Sequence, residues 1–154
     1  MTAEVVVSVD VDAPPAAVWD AVTDWPRQSQ WMLGTTVRAT TANGVGVGGG
    51  IEAFTGVGRV GFLDTMVITE WDPPRRCVVR HTGRFVRGDG VFEVVALAAD
   101  RSRFVWSEIL ELPLGRVGRL GWPVVAPAFA AGVRHSLKKL AADVAREHAA
   151  GHGR

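Results

Sequence analysis

Tyrosine is absent from these 154 residues, and cysteine occurs once, at Cys77. One cysteine allows neither an internal disulfide nor a multi-cysteine metal site. Lysine is confined to Lys138 and Lys139, so nearly all of the 17 basic residues are arginine. They are scattered and offset by 16 acidic residues, for a net charge of +1. That balance implies neither nucleic acid nor an anionic membrane as partner. The arginine bias reads as a GC-rich genome rather than a binding surface. No run of 18 apolar residues exists, so no membrane span is expected. No cationic start leads into an apolar run, so no secretory signal is expected and a cytoplasmic protein is the simplest reading. Ser-His-Asp order, H-E-x-x-H and C-x-x-C are also missing. Neither a metal nor a cofactor is expected.

The chain does contain order in a definite sequence. Hydrophobic residues make up 47%, enough for one core in one domain, taken as residues 1–150 with a frayed tail at 151–154. "AEVVVSVDV" (3–11) is a β-branched run and reads as a strand. "VDAPPAAVWDAVTDWPRQSQWM" (11–32) comes next. Asp12 is placed to accept from the free amides of a helix start. Pro14 is held extended by the proline after it, and Pro15 suits the first helical turn. Val18, Trp19 and Val22 make an apolar stripe, Pro26 ends the run, and "PRQSQWM" forms a second short helix. A helix so short is not stable alone and must lie on something.

After Gly34 the pattern changes to alternation and glycine. Strands are expected near 34–42, 48–57, 62–72, 75–84, 86–98 and 102–112. The links between them are short, which implies antiparallel neighbours. Val125, Phe129, Val133, Leu137, Leu140 and Val144 then fall at helical spacing over about 123–147, with Pro127 expected to kink the first part. A curved antiparallel sheet needs its apolar face covered. One long helix in the concavity, with the short pair under one end, satisfies that need.

Two glycine clusters, "GVGVGG" (44–49) and "GVGRVG" (56–61), match G-x-G-x-x-G. A dinucleotide site needs such glycines to open a helix. Strand-like segments come after both, so the glycines are assigned to turns and strand bends. Asp10 and Asp12 lack further local ligands for a metal, and helix entry accounts for them. His148 and His152 read as solvent-facing, and His135 as exposed or half-buried. His81 differs: alternation sets Cys77, Val79 and His81 on one inward face. A lone inward histidine is ordinarily a satisfied core residue. Phe104, Trp106, Glu108, Leu110 and Leu112 share a face that should point inward and take Glu108 with it. A carboxylate there needs a partner or a proton. Its plain reading is a rim salt bridge; its functional reading is a polar anchor for a ligand. The two residues lie on strands separated by one other, with backbones roughly 10 Å apart, so direct contact is not expected. For Met66, Ile68 and Glu70 against Val67, Thr69 and Trp71, the pattern does not decide the inward face.

The quoted segments resemble START-like proteins of the SRPBCC superfamily, which include polyketide cyclase/dehydrase-like proteins. The opening carries the family's strand, A-P-x-x-V-W-x-x-(L/V)-x-D pattern, short second helix and Trp, at Ala13, Pro14, Val18, Trp19, Val22, Asp24 and Trp31. "TEWDPPRR" (69–76), "SRFVWSEILELP" (102–113) and "HSLKKLAADVAREH" (135–148) are similar to its central hairpin, last strand and closing helix. The resemblance implies an α+β helix-grip fold: a curved seven-stranded antiparallel sheet wrapped around a long C-terminal helix, with two short helices after the first strand. It also implies a cavity between sheet and helix that holds an apolar small molecule such as a lipid, polyketide or isoprenoid. The expected lining is Trp71, Val79, His81, Phe92, Trp106, Glu108, Trp122, Phe129 and Val133. Two alternatives stand beside a binding protein. One is a cyclase, aromatase or dehydratase with His81 and Glu108 as acid and base, Arg80 or Arg84 being further polar groups. The other is a closed domain that binds protein and no ligand.

Overall fold

A computed structural model describes residues 2–111 and 115–153. Leu112 and Pro113, assigned above to the end of the last strand, and Arg154 of the tail lie outside the described residues. Among the described residues seven strands form one antiparallel sheet in the order β1-β7-β6-β5-β4-β3-β2. They are β1 (Thr2–Val11), β2 (Thr35–Thr41), β3 (Gly50–Val57), β4 (Val60–Asp72), β5 (Arg76–His81), β6 (Gly88–Ala98) and β7 (Arg101–Glu111). Two short helices, α1 (Pro15–Thr23) and α2 (Gln28–Trp31), come after β1, and one long helix, α3 (Gly115–His152), closes the chain. This is the α+β helix-grip arrangement, with the expected strands in place to within a few residues.

The opening stretch works largely as its prolines dictate. Pro14 is extended (φ −63°, ψ 155°) and Pro15 begins α1. Val18, Trp19 and Val22 are buried. Asp12 is a correction. No side chain caps α1, and the Asp12 carboxylate is 85% exposed, 3.9 Å from Arg101. Asp10 is held by Arg103 and Arg101, at 2.7 and 3.1 Å. The acidic pair therefore fastens the β1 edge to β7 rather than serving helix entry. Gly44 is a glycine for a steric reason: at φ +64° a Cβ there would sit 2.5 Å from Trp25 Nε1. That indole donates to the Gly44 carbonyl at 2.7 Å, so the glycine cluster seats a tryptophan.

The undecided face of β4 is resolved by a bulge. Ile68 pairs with Val79, but Glu70 pairs with Val78, leaving Thr69 as the extra residue. A bulge inverts the side-chain parity of the residues beyond it. Asp64, Met66 and Ile68 point inward before it; Trp71 packs on the core after it.

The closing helix runs from Gly115 to His152, longer at both ends than the expected 123–147 and about 57 Å at 1.5 Å per residue. It passes through Pro123 and Pro127 and takes in Gly151 and His152 of the supposed frayed tail. Val133, Leu137, Leu140 and Val144 are buried against β1, α1 and α2. Val125, expected on the same stripe, is 56% exposed. The segment carrying the short helices is tied to the C-terminal half of α3, by Leu33 N–H to Ser136 Oγ and Arg27 to Glu147. No helix of the described residues is long and apolar enough to cross a membrane.

Candidate functional site

Where α1 and α2 give out, the space between sheet and α3 stays hollow. The cavity holds about 400 Å³, within the usual range for small-molecule pockets. Its walls are predominantly apolar, with Val37, Ile51, Ala53 and Met66 on the β2–β4 side and Phe92, Trp106 and Val133 opposite. Leu33, Phe62 and Phe129 also line it yet stay 65%, 40% and 38% exposed, which marks them as its mouth. Of the nine residues expected to line the cavity, Val79, His81, Phe92, Trp106, Glu108, Phe129 and Val133 do so. Trp71 and Trp122 do not. Trp71 meets Trp19 edge-on at 5.1 Å, at the filled end, and Trp122 packs on the margin of the core.

Three ionisable groups converge in this predominantly apolar wall. His81 Nδ1 lies 2.6 Å from Asp64 Oδ2, and its Nε2 lies 3.1 Å from Glu108 Oε2. Trp106, two residues before Glu108 and on the same face, donates its indole N–H to Glu108 Oε1 at 2.7 Å. All three residues are buried: Asp64 is 7% exposed, His81 9% and Glu108 7%.

The contact between His81 and Glu108 corrects the expectation that they stand apart. The backbone estimate overlooked what lies between them. His81 pairs with Gly88, and Gly90 pairs with both Val79 and Glu108. The intervening β6 thus presents glycine where the side chains cross. A Cβ on Gly90 would come within 3.3 Å of Glu108 Oε1 and 3.0 Å of Val79 Cγ2. With no side chain on that strand, histidine and carboxylate reach over it.

Burial alone would disfavour a charged His81. Hydrogen bonds donated to Asp64 and Glu108, and the negative charge of those carboxylates, outweigh it and raise the imidazole pKa to about 10. The ring is therefore an imidazolium at neutral pH, clamped at both nitrogens. Asp64 was not singled out in the sequence. The available signal was the alternation Phe62, Asp64, Met66, Ile68, an acid in an otherwise apolar series. Cys77 is buried, and burial pushes its thiol up to about 12, away from the thiolate a nucleophile requires. Arg80 is tied by two hydrogen bonds to Asp89, and both it and Arg84 are exposed, outside the cavity lining.

The fold is thus an α+β sheet gripping a helix over a cavity, with Asp64, His81 and Glu108 in contact on its wall. The chain belongs to the family described as polyketide cyclase / dehydrase and lipid transport, whose model matches residues 2–145. Among curated proteins none matches the sequence. Solved structures share the fold at low identity. A Thermus thermophilus protein is 18% identical with a TM-score of 0.77, covering 92% of this chain and 97% of its own. The Zhui aromatase/cyclase from Streptomyces sp. R1128 is 18% identical with a TM-score of 0.76, covering 95% of both chains. A Polyketide_cyc-like protein from Corynebacterium glutamicum is 14% identical with a TM-score of 0.67, covering 100% of this chain and 98% of its own.

Proposed function

We propose that this protein binds a hydrophobic small molecule in the cavity, with the polar end of that molecule against Asp64, His81 and Glu108. The carrying observation is a 400 Å³ apolar hollow with ionisable groups gathered on one wall. Apolar walls supply affinity roughly in proportion to the area they cover, and a few placed polar groups fix orientation. Trp106, Phe92, Val79, Phe129 and Val133 serve as the apolar contacts. The unfilled space weighs against a closed domain that acts only by binding protein. Native mass spectrometry of freshly purified protein tests the reading. A retained mass of a few hundred daltons, lost on replacing Ala53 by Leu to fill the hollow, supports it. Wild-type protein that takes up no apolar compound from a solution of candidates contradicts it.

A second reading, acid–base catalysis on a bound carbonyl compound, is favoured by the direct contacts within the trio. Asp64 would take the proton from carbon next to a carbonyl. It would then return that proton to a departing hydroxyl, releasing water and leaving a carbon–carbon double bond. The imidazolium would hold the carboxylate in place, and such acid–base help typically contributes about 10²–10⁴-fold. Single-turnover product formation by Asp64→Asn, His81→Gln and Glu108→Gln distinguishes the two readings. Loss of turnover with affinity retained supports catalysis; equal turnover in all three removes it.

A further inference from the structure

Every hydrogen in the trio is already engaged. Whichever side each proton sits on, the His81–Asp64 and His81–Glu108 contacts take one hydrogen apiece. The Trp106 indole N–H is used on Glu108, and that of Trp25 on Gly44. The neutral groups of the wall are engaged as well. Ser136 donates to the Gly132 carbonyl and accepts from the Leu33 amide, at 3.0 Å each. Thr35 and Thr55 meet at 3.1 Å, and Gln28 uses one of its two amide hydrogens on the Val22 carbonyl.

Two buried side-chain polar atoms among the described residues have no hydrogen-bond partner: Trp31 Nε1, whose residue is outside the cavity lining, and Asp64 Oδ1. The latter is an acceptor beside Gly83, on a cavity-lining side chain only 9% exposed. The other oxygen, Oδ2, is the one that faces His81 Nδ1, which leaves Oδ1 as the open acceptor of the carboxylate. A buried acceptor left unmade is costly, and a donor that reaches it recovers that cost. Among the described residues no arginine or lysine lines the cavity. A carboxylate head would face Asp64 with no free cation to receive it, and an ether or ester would set acceptor against acceptor.

Resting on the binding role proposed above, we infer that the cavity selects apolar molecules bearing a hydrogen-bond donor, a hydroxyl or an ammonium, for Asp64 Oδ1, and rejects carboxylates. The test is calorimetric titration of the full chain at pH 7 with four probes of one shape: 2-naphthol, 2-methoxynaphthalene, 2-naphthoate and 2-naphthylmethylamine. Naphthol is expected to bind on the order of tenfold or more tighter than its methyl ether, the value of one hydrogen bond to a charged acceptor. Naphthoate should be weakest. The amine sets which donor is preferred, and either order against naphthol supports the rule. In Asp64→Asn the amide offers both a donor and an acceptor, so the naphthol-to-ether ratio should shrink to within about threefold. Should that variant not fold, the wild-type ratio still decides. Equal binding of naphthol, ether and naphthoate overturns donor selection while leaving the apolar-cavity reading intact. Binding of none of the four overturns both.

Discussion

At one end of the groove between sheet and closing helix, Trp19 of α1 and Trp31 of α2 meet Trp71 and Trp106 of the sheet edge-on, and Leu137, Leu140 and Val144 of α3 are all buried. At the other end Ala128, Phe129, Gly132 and Val133 of the same helix line the hollow, and in its earlier turns Val117, Leu120 and Val124 are 67%, 80% and 77% exposed. Trp25 stands on the boundary, in the core cluster and in the cavity wall alike. Both halves of α3 are rich in apolar residues, so composition does not explain the contrast. What differs is whether a second layer lies beneath. A single helix cannot fill a curved sheet, and the two short helices are long enough to fill only one end. Stability is concentrated where they lie, and the open end is left for a ligand.

If that division holds, mutations should cost most at the filled end. Trp19→Ala removes an indole that is 5% exposed and stacked edge-on against Trp71. It should destabilise by about 3–5 kcal/mol in urea unfolding, a large share of a domain's total. A change below about 1 kcal/mol would mean that the filled end is not what holds the fold together.

The trio supplies the next effect, visible through pH. His81 titrates near 6.5 when unfolded and near 10 when folded, so the folded state holds the proton more tightly. Its contribution is complete below about pH 6.5 and is lost as pH rises towards 10. At roughly 1.4 kcal/mol per pKa unit, wild-type stability should fall by up to a few kcal/mol between pH 6.5 and 10. His81→Gln should lack that slope. Parallel pH profiles for the two proteins would dismiss the imidazolium clamp.

The smallest effect belongs to the mouth. Phe129 is 38% exposed beside empty space. Phe129→Ala should therefore cost under about 1 kcal/mol, well below the range for buried aromatics, while weakening the binding of 2-naphthol. A stability loss matching that of Trp19→Ala would erase the distinction between the ends.

Much of the architecture was legible because it is written in local periodicity. Alternation and short links gave the antiparallel strands, and the Pro14–Pro15 pair gave the start of α1. The inward faces of β5 and β7 came from the same alternation, which placed His81 and Glu108 correctly. Three features escaped for physical reasons. The Thr69 bulge changes parity mid-strand, and no residue type marks it. The His81–Glu108 contact depends on Gly90, a residue that alternation along 86–98 does not single out as room for its neighbours. The exposure of Val125 depends on what lies under the helix, a tertiary fact absent from its own periodicity. Asp64 was in plain view on an apolar alternating face, and its meaning emerged only with the unpartnered oxygen.

The central claim, a filled end and a receptive end, is most directly tested by the six tryptophan indole N–H signals in a ¹H–¹⁵N spectrum. On addition of 2-naphthol the Trp106 signal should move furthest, since that indole lines the cavity and bonds Glu108. Those of Trp19 and Trp71 should stay in place. Movement of Trp19 and Trp71 with Trp106 unmoved would contradict the account.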